Sequence, residues 1–143
     1  MTSDEIRSNI RYNENLIDQY IREKSGLEKQ VEELEALRSK YSSLQSRFGE
    51  RQSVRQNKLS LFLGSCVQNQ IFKKYYEGMS GLLSGLEFNK AYEGLSEARN
   101  IINRKIWEID DKIDECERQI AYRRSRRDYW HAQLAAALAE EAE

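Results

Sequence analysis

Residues 102–120 read INRKIWEIDDKIDECERQI, and the apolar side chains of this stretch decide the fold. Ile102, Ile106, Ile109, Ile113, Cys116 and Ile120 step alternately by four and three residues. A helix turns once per 3.6 residues, so all six lie on one stripe of an α-helix. Phe88, Tyr92 and Leu95 extend the frame backwards, and Trp130 and Leu134 extend it forwards. One helix is therefore predicted over about residues 87–138. Isoleucine dominates its centre, where β-branched side chains keep few rotamers and pack in a defined way. Arg123 and Arg127 occupy the next two core positions, so the apolar seam breaks there before Trp130 resumes it. Trp107 stands beside the stripe. It either faces a partner, as amphipathic aromatics at interfaces do, or widens the internal core.

A second stripe lies near the start of the chain. Ile6, Ile10, Ile17, Tyr20, Leu27, Val31, Leu34, Tyr41 and Phe48 share one heptad frame, interrupted by Asn13, Lys24, Arg38 and Gln45. Leu16, Leu37 and Leu44 widen the apolar face as a bundle helix requires. The frame predicts a helix over about residues 4–48, with Ser3 as N-cap, Asp4 and Glu5 in the first turn, and Gly49 as C-cap. The interrupting polar residues either fix register, as buried polar groups do in coiled coils, or snorkel to solvent. Folding the stripes antiparallel sets Arg123–Arg127 near Asp4, Glu5, Glu14 and Asp18.

Six of the seven glycines fall between Gly49 and Gly94, and proline is absent. The expected fold is thus all-α: one long antiparallel helical hairpin, coiled-coil-like, over a single domain 1–143, with a connector at about 49–86 and a tail at 139–143. The connector is not a plain loop, because Leu59, Phe62, Phe72, Tyr75, Tyr76 and Leu83 need burial. Ile71, Tyr75, Met79 and Leu82 predict a short helix from about 67 to 83, broken by Gly64 before it and by Gly81 and Gly85 after it. Arg51 to Ser60 is also helix-compatible, which leaves open that the first helix runs past Gly49. The connector is expected to fold back and cap the hairpin's open end.

The net charge of -1 conceals segregation. Glu28, Glu32, Glu33 and Glu35 cluster in the first stripe, and Arg118, Arg123, Arg124, Arg126 and Arg127 in the second. That basic cluster, with Tyr122 and Tyr129 interleaved, reads as a salt-bridged helix face rather than a nucleic-acid site, since no wider basic surface accompanies it. Membrane insertion is not expected, because no apolar run is long enough to span a bilayer. The N-terminal Met1–Glu5 is acidic and unlike a secretory leader. The chain is expected in the cytoplasm, with any export following a signal-peptide-independent route. Cys66 and Cys116 read as small packed apolar residues, with a bridge between them left open. His131 has no evident nucleophile or ligand partner, and no phosphate loop or metal-ligand spacing is present. No enzyme, cofactor or metal is expected.

The layout resembles the helical-hairpin proteins of Gram-positive type VII secretion, in particular the small YwqH-like proteins associated with LXG toxins. The resemblance rests on Leu61-Phe62-Leu63-Gly64 followed by Ile71-Phe72-Lys73-Lys74-Tyr75-Tyr76, between two heptad helices. Phe62-Leu63-Gly64 stands where the related hairpins carry Trp-x-Gly, so the tryptophan is absent. The family's export signal, a tyrosine with an acid four residues later, is also absent past the hairpin. Trp107 and Asp111 have that spacing but lie inside the predicted helix. The resemblance implies a partner or targeting chaperone that binds the helical N-terminal domain of an LXG-type toxin. The expected contact residues are Ile102, Ile106, Trp107, Ile109, Ile113 and Ile120, with Phe62, Phe72, Tyr75 and Tyr76 of the connector. A toxin domain or a second small hairpin protein is the expected partner. The alternatives are a homodimeric four-helix bundle and a prefoldin-like holdase; the last needs β-hairpins, which residues 50–86 do not suggest.

Overall fold

The computed structural model describes residues 1–66 and 70–143, with side chains throughout except at 62–66, 72, 83 and 84. The protein is an all-α helical hairpin of α1 (Ser3–Cys66), α2 (Gln70–Ser84) and α3 (Leu86–Glu141). No strand occurs among the described residues. The chain divides into two compact units, one of Met1–Glu33 with Ile106–Glu143 and one of Leu34–Lys105. In each, α1 runs antiparallel to α3.

The start of α1 is fixed by Thr2 rather than by Ser3. Glu5 N donates to Thr2 Oγ1 at 3.2 Å, and Thr2 N donates to Glu5 Oε2 at 2.8 Å. This reciprocal pair is a capping box, in which a hydroxyl and a carboxylate each satisfy a backbone donor of the first turn.

The helix does not stop at residue 48. It continues through Gly49 to Cys66, so residues 50–66, expected as connector, belong to α1. Gly49 takes no left-handed conformation, and a Cβ there would meet only Tyr92 Cε2 at 3.6 Å. Without proline, nothing in the backbone stops the helix. The glycine costs about 1 kcal/mol against alanine, which pairing with α3 outweighs. Gly64 likewise lies inside α1. Beyond residue 44 the buried or half-buried positions are Gln45, Phe48, Gly49, Gln52, Gln56 and Leu59, so the same face of α1 stays turned inward through the added turns.

The short helix is described over Gln70–Ser84, with Gly81 within it, and its expected start near residue 67 lies outside the described residues. The real break is Gly85, the one residue between α2 and α3. Its carbonyl accepts from Asn89 N at 3.3 Å and so starts α3. Met79 and Leu82 of α2 lie beside Arg51, Gln52 and Arg55 of α1.

In the first unit the core is Ile6, Ile10 and Ile17 of α1 with Ile106, Ile109, Cys116 and Ile120 of α3. Each isoleucine is at most 7% exposed. Burying such a side chain stabilises by about 1.5–3 kcal/mol. No described side chain falls below 2% exposure, which reflects a seam only two helices thick.

Candidate partner-binding surface

The seam is punctuated by polar layers, in which Arg38 and Gln45 bond across to α3 while Lys24 reaches exposed carboxylates. Gln45, 6% exposed, donates from Nε2 to the Tyr92 carbonyl at 3.1 Å and to Ser96 Oγ at 2.6 Å. Its Oε1 accepts from Arg99 Nη1 at 2.9 Å. One turn-pair earlier on α1, Arg38 Nη1 donates to Asn103 Oδ1 at 2.8 Å. The seven-residue step from Arg38 to Gln45 matches the seven from Ser96 to Asn103, as a fixed antiparallel register requires. A slip of one residue would bury these groups without partners, at about 1–3 kcal/mol each. These residues therefore specify register, the role buried polar groups play in coiled coils.

In the first unit Asn13 is 3% exposed and donates to the Asn9 carbonyl at 2.8 Å. Its Oδ1 accepts a long bond, 3.5 Å, from Arg123 Nη1. Arg123 also lies over the rings of Tyr12 and Tyr122, at 5.7 and 5.1 Å. The expected carboxylate partners are replaced by an amide and two aromatic faces. Glu14 instead approaches His131 at 4.0 Å. Lys24 reaches Glu117 at 3.1 Å and Glu28 at 3.6 Å. The hydrogen bond to Glu117 is the main reason its ammonium titrates above the ordinary lysine range. Arg118 chelates Glu115 through Nε and Nη2, and Arg127 pairs with Asp128. Arg126 stacks over Tyr129 and Trp130. Arg118, Arg123, Arg126 and Arg127 thus each meet a partner within their own unit.

The expected contact residues separate into three groups. Ile102, Ile106, Ile109 and Ile120 are buried in the intramolecular seam, and Ile113 is half-buried there. Another protein cannot reach the buried four without opening the hairpin. Trp107 is 65% exposed and Tyr75 is 53% exposed, while Tyr76 is half-buried. The side chains of Phe62 and Phe72 lie outside the described residues, as does that of Cys66. Cys116 is a free, buried thiol. Burial pushes its pKa up, and the charges of Glu23 and Glu115 push it further.

Sequence reasoning missed a groove in the second unit. Phe48 and Phe88 stack at 4.6 Å between centroids, and Phe88 stacks on Tyr92 at 6.0 Å. Beside this ladder lies a groove of about 510 Å³, lined by Phe48, Arg51, Gln52 and Arg55 of α1, Met79 and Leu82 of α2, and Glu87 and Phe88 of α3. The signal was available in principle: Arg47, Arg51, Arg55 and Lys58 recur at helical spacing beside the apolar stripe. It becomes readable only when α1 continues past Gly49. Among the described residues, no group of three metal-ligating side chains occurs and no helix is long and apolar enough to cross a membrane. No protein-family model matches this chain, and no curated protein or solved structure does so.

Proposed function

We propose that this chain is a non-enzymatic helical hairpin that binds another helical protein. In the reading its sequence supports best, it is a targeting chaperone for the helical N-terminal domain of an LXG-type toxin in type VII secretion, acting from the cytoplasm. The observation carrying the binding role is the set of large apolar side chains left outside the seam. Leu61, Ile71, Leu82 and Leu86 are each at least 69% exposed, and Trp107 is 65% exposed. Exposed apolar patches mark interaction sites, and Ile71 and Leu82 share one face of α2. The toxin assignment rests on the resemblance of the segment 61–76 between two heptad helices. The partner surface is accordingly the outer faces, with Trp107 and Tyr75, rather than the buried isoleucines.

Co-expression with the products of neighbouring genes tests this. Co-purification of a helical toxin domain is the expected result; a monomer that captures no neighbour sinks the proposal. The thinness of the seam favours one second reading, a homodimeric four-helix bundle. Light scattering on the isolated chain separates the two, since a tight dimer that ignores every neighbour supports self-association.

A further inference from the structure

We infer that the groove of the second unit, with the outer face of α2, docks an acidic amphipathic helix of a partner protein. The inference rests on the helix-binding reading above and specifies the partner's chemistry.

Three observations converge. Ile71, Tyr75 and Leu82, exposed by 78%, 53% and 69%, share one face of α2 with Gly78, at steps of four, three and four. A Cβ at Gly78 would meet nothing within 4 Å, so a second backbone can approach that point closely. Leu82 also lines the groove, which joins the exposed face to the floor of Phe48, Met79 and Phe88. The rim is basic: Arg51 and Arg55 of the lining are exposed, and only Glu87 opposes them. The second unit as a whole carries 12 lysines and arginines against 6 glutamates. An apolar floor with a cationic rim selects a helix whose apolar ridge is flanked by carboxylates. The groove of the first unit offers no such bias, because Lys24 and Arg124 of its lining are balanced by Glu28 and Glu117.

The probe is a synthetic amphipathic helix of about 20 residues, long enough to hold helical structure on binding. Its leucine ridge is flanked by glutamates, and it carries a fluorophore for anisotropy. One twin has lysines in place of the glutamates, and another has the leucines scrambled. The full-length chain binds the acidic peptide more tightly than either twin. The double variant R51E/R55E weakens that binding at least about tenfold and improves binding of the lysine twin, as charge reversal at a docking rim does. Leu82→Ser weakens it by about fivefold through lost apolar contact, with the fold unaffected because the side chain is exposed. Circular dichroism checks each variant's helicity; were R51E/R55E to unfold, Leu82→Ser and the salt dependence of wild-type binding would decide. No binding of the acidic peptide, equal binding of the scrambled twin, or unchanged binding by R51E/R55E overturns the inference. So does binding to phosphatidylglycerol vesicles without peptide binding, which would mark a lipid surface instead. Wild type and R51E/R55E capturing the same neighbour equally well would leave the chaperone proposal standing and remove this one. Peptide binding without capture of any neighbour would do the reverse.

Discussion

The two units of the hairpin weight their seams differently: apolar layers dominate the first, around the single layer of Asn13 and Arg123, and polar layers recur in the second. The first encloses isoleucine against isoleucine and carries 11 basic against 18 acidic side chains. The second puts polar groups into the seam at Arg38, Gln45, Ser96, Arg99 and Asn103, and leaves apolar side chains on its outside. The contrast separates two tasks. The isoleucine seam supplies cohesion, and the polar seam supplies alignment. Among the described residues of the second unit, the buried apolar side chains are Leu59 and Ile102, while Ile71, Leu82 and Leu86 stand exposed.

Substitutions at matched positions can break this contrast. The largest effect is expected at Ile109, the least exposed core residue at 2%. Ile109→Ala should destabilise by about 2–5 kcal/mol in urea unfolding, the range for truncating a buried isoleucine. Trp107→Ala, two residues away but exposed, should change stability by no more than about 0.5 kcal/mol. Comparable losses at the two positions would refute the division between seam and outer face. Next comes Gln45→Ala, which strips partners from Ser96 and Arg99 and should cost about 1–3 kcal/mol. If it proved neutral, the polar layer would not be setting register. Gly49→Ala should then stabilise by about 1 kcal/mol, because the residue is inside a helix and the added methyl meets only ordinary contact. A loss of stability would mean that the helix bends at that point.

The smallest effect concerns acid. Gln119 and then Arg118 hydrogen-bond the Glu115 carboxylate and hold its pKa below the ordinary glutamate value. A carboxyl with a lowered folded pKa contributes stability that is present above its unfolded value and lost as pH falls through the folded one. Glu115→Gln should therefore narrow the stability difference between neutral pH and pH below the ordinary carboxylate range. Glu115 is well exposed, so the change should be slight and reduced by salt. A large change would show that the exposed pair is stronger than solvent screening allows.

Both stripes were legible in the sequence, because three-and-four spacing survives the polar interruptions. Asn13, Lys24, Arg38 and Gln45 all sit where the frame puts them, buried or half-buried. The end of α1 was not legible. A glycine after an aromatic reads as a C-cap, and only the backbone shows that Gly49 avoids the left-handed region. With the continuation past Gly49 left open, nothing in the spacing brought Arg51 and Arg55 together with α2 in a groove. Nor could spacing assign the isoleucines correctly. A heptad says which side chains face a seam, not whether the helix across it belongs to the same chain. Exposure answers that: Ile106 is enclosed within its own hairpin, and Trp107 beside it is not.

Gly85 is a glycine for reasons of space rather than torsion. Its backbone takes no positive φ, yet a Cβ there would come within 2.5 Å of the Gly81 carbonyl oxygen. That oxygen is main chain, so no substitution at position 81 makes room. Within the chain, Gly26 and Gly94 face open space and carry no such constraint. Under mutational drift the heading of the longest returning helix is thus encoded by one codon. A library randomised at residue 85 and selected for folding should return glycine almost alone.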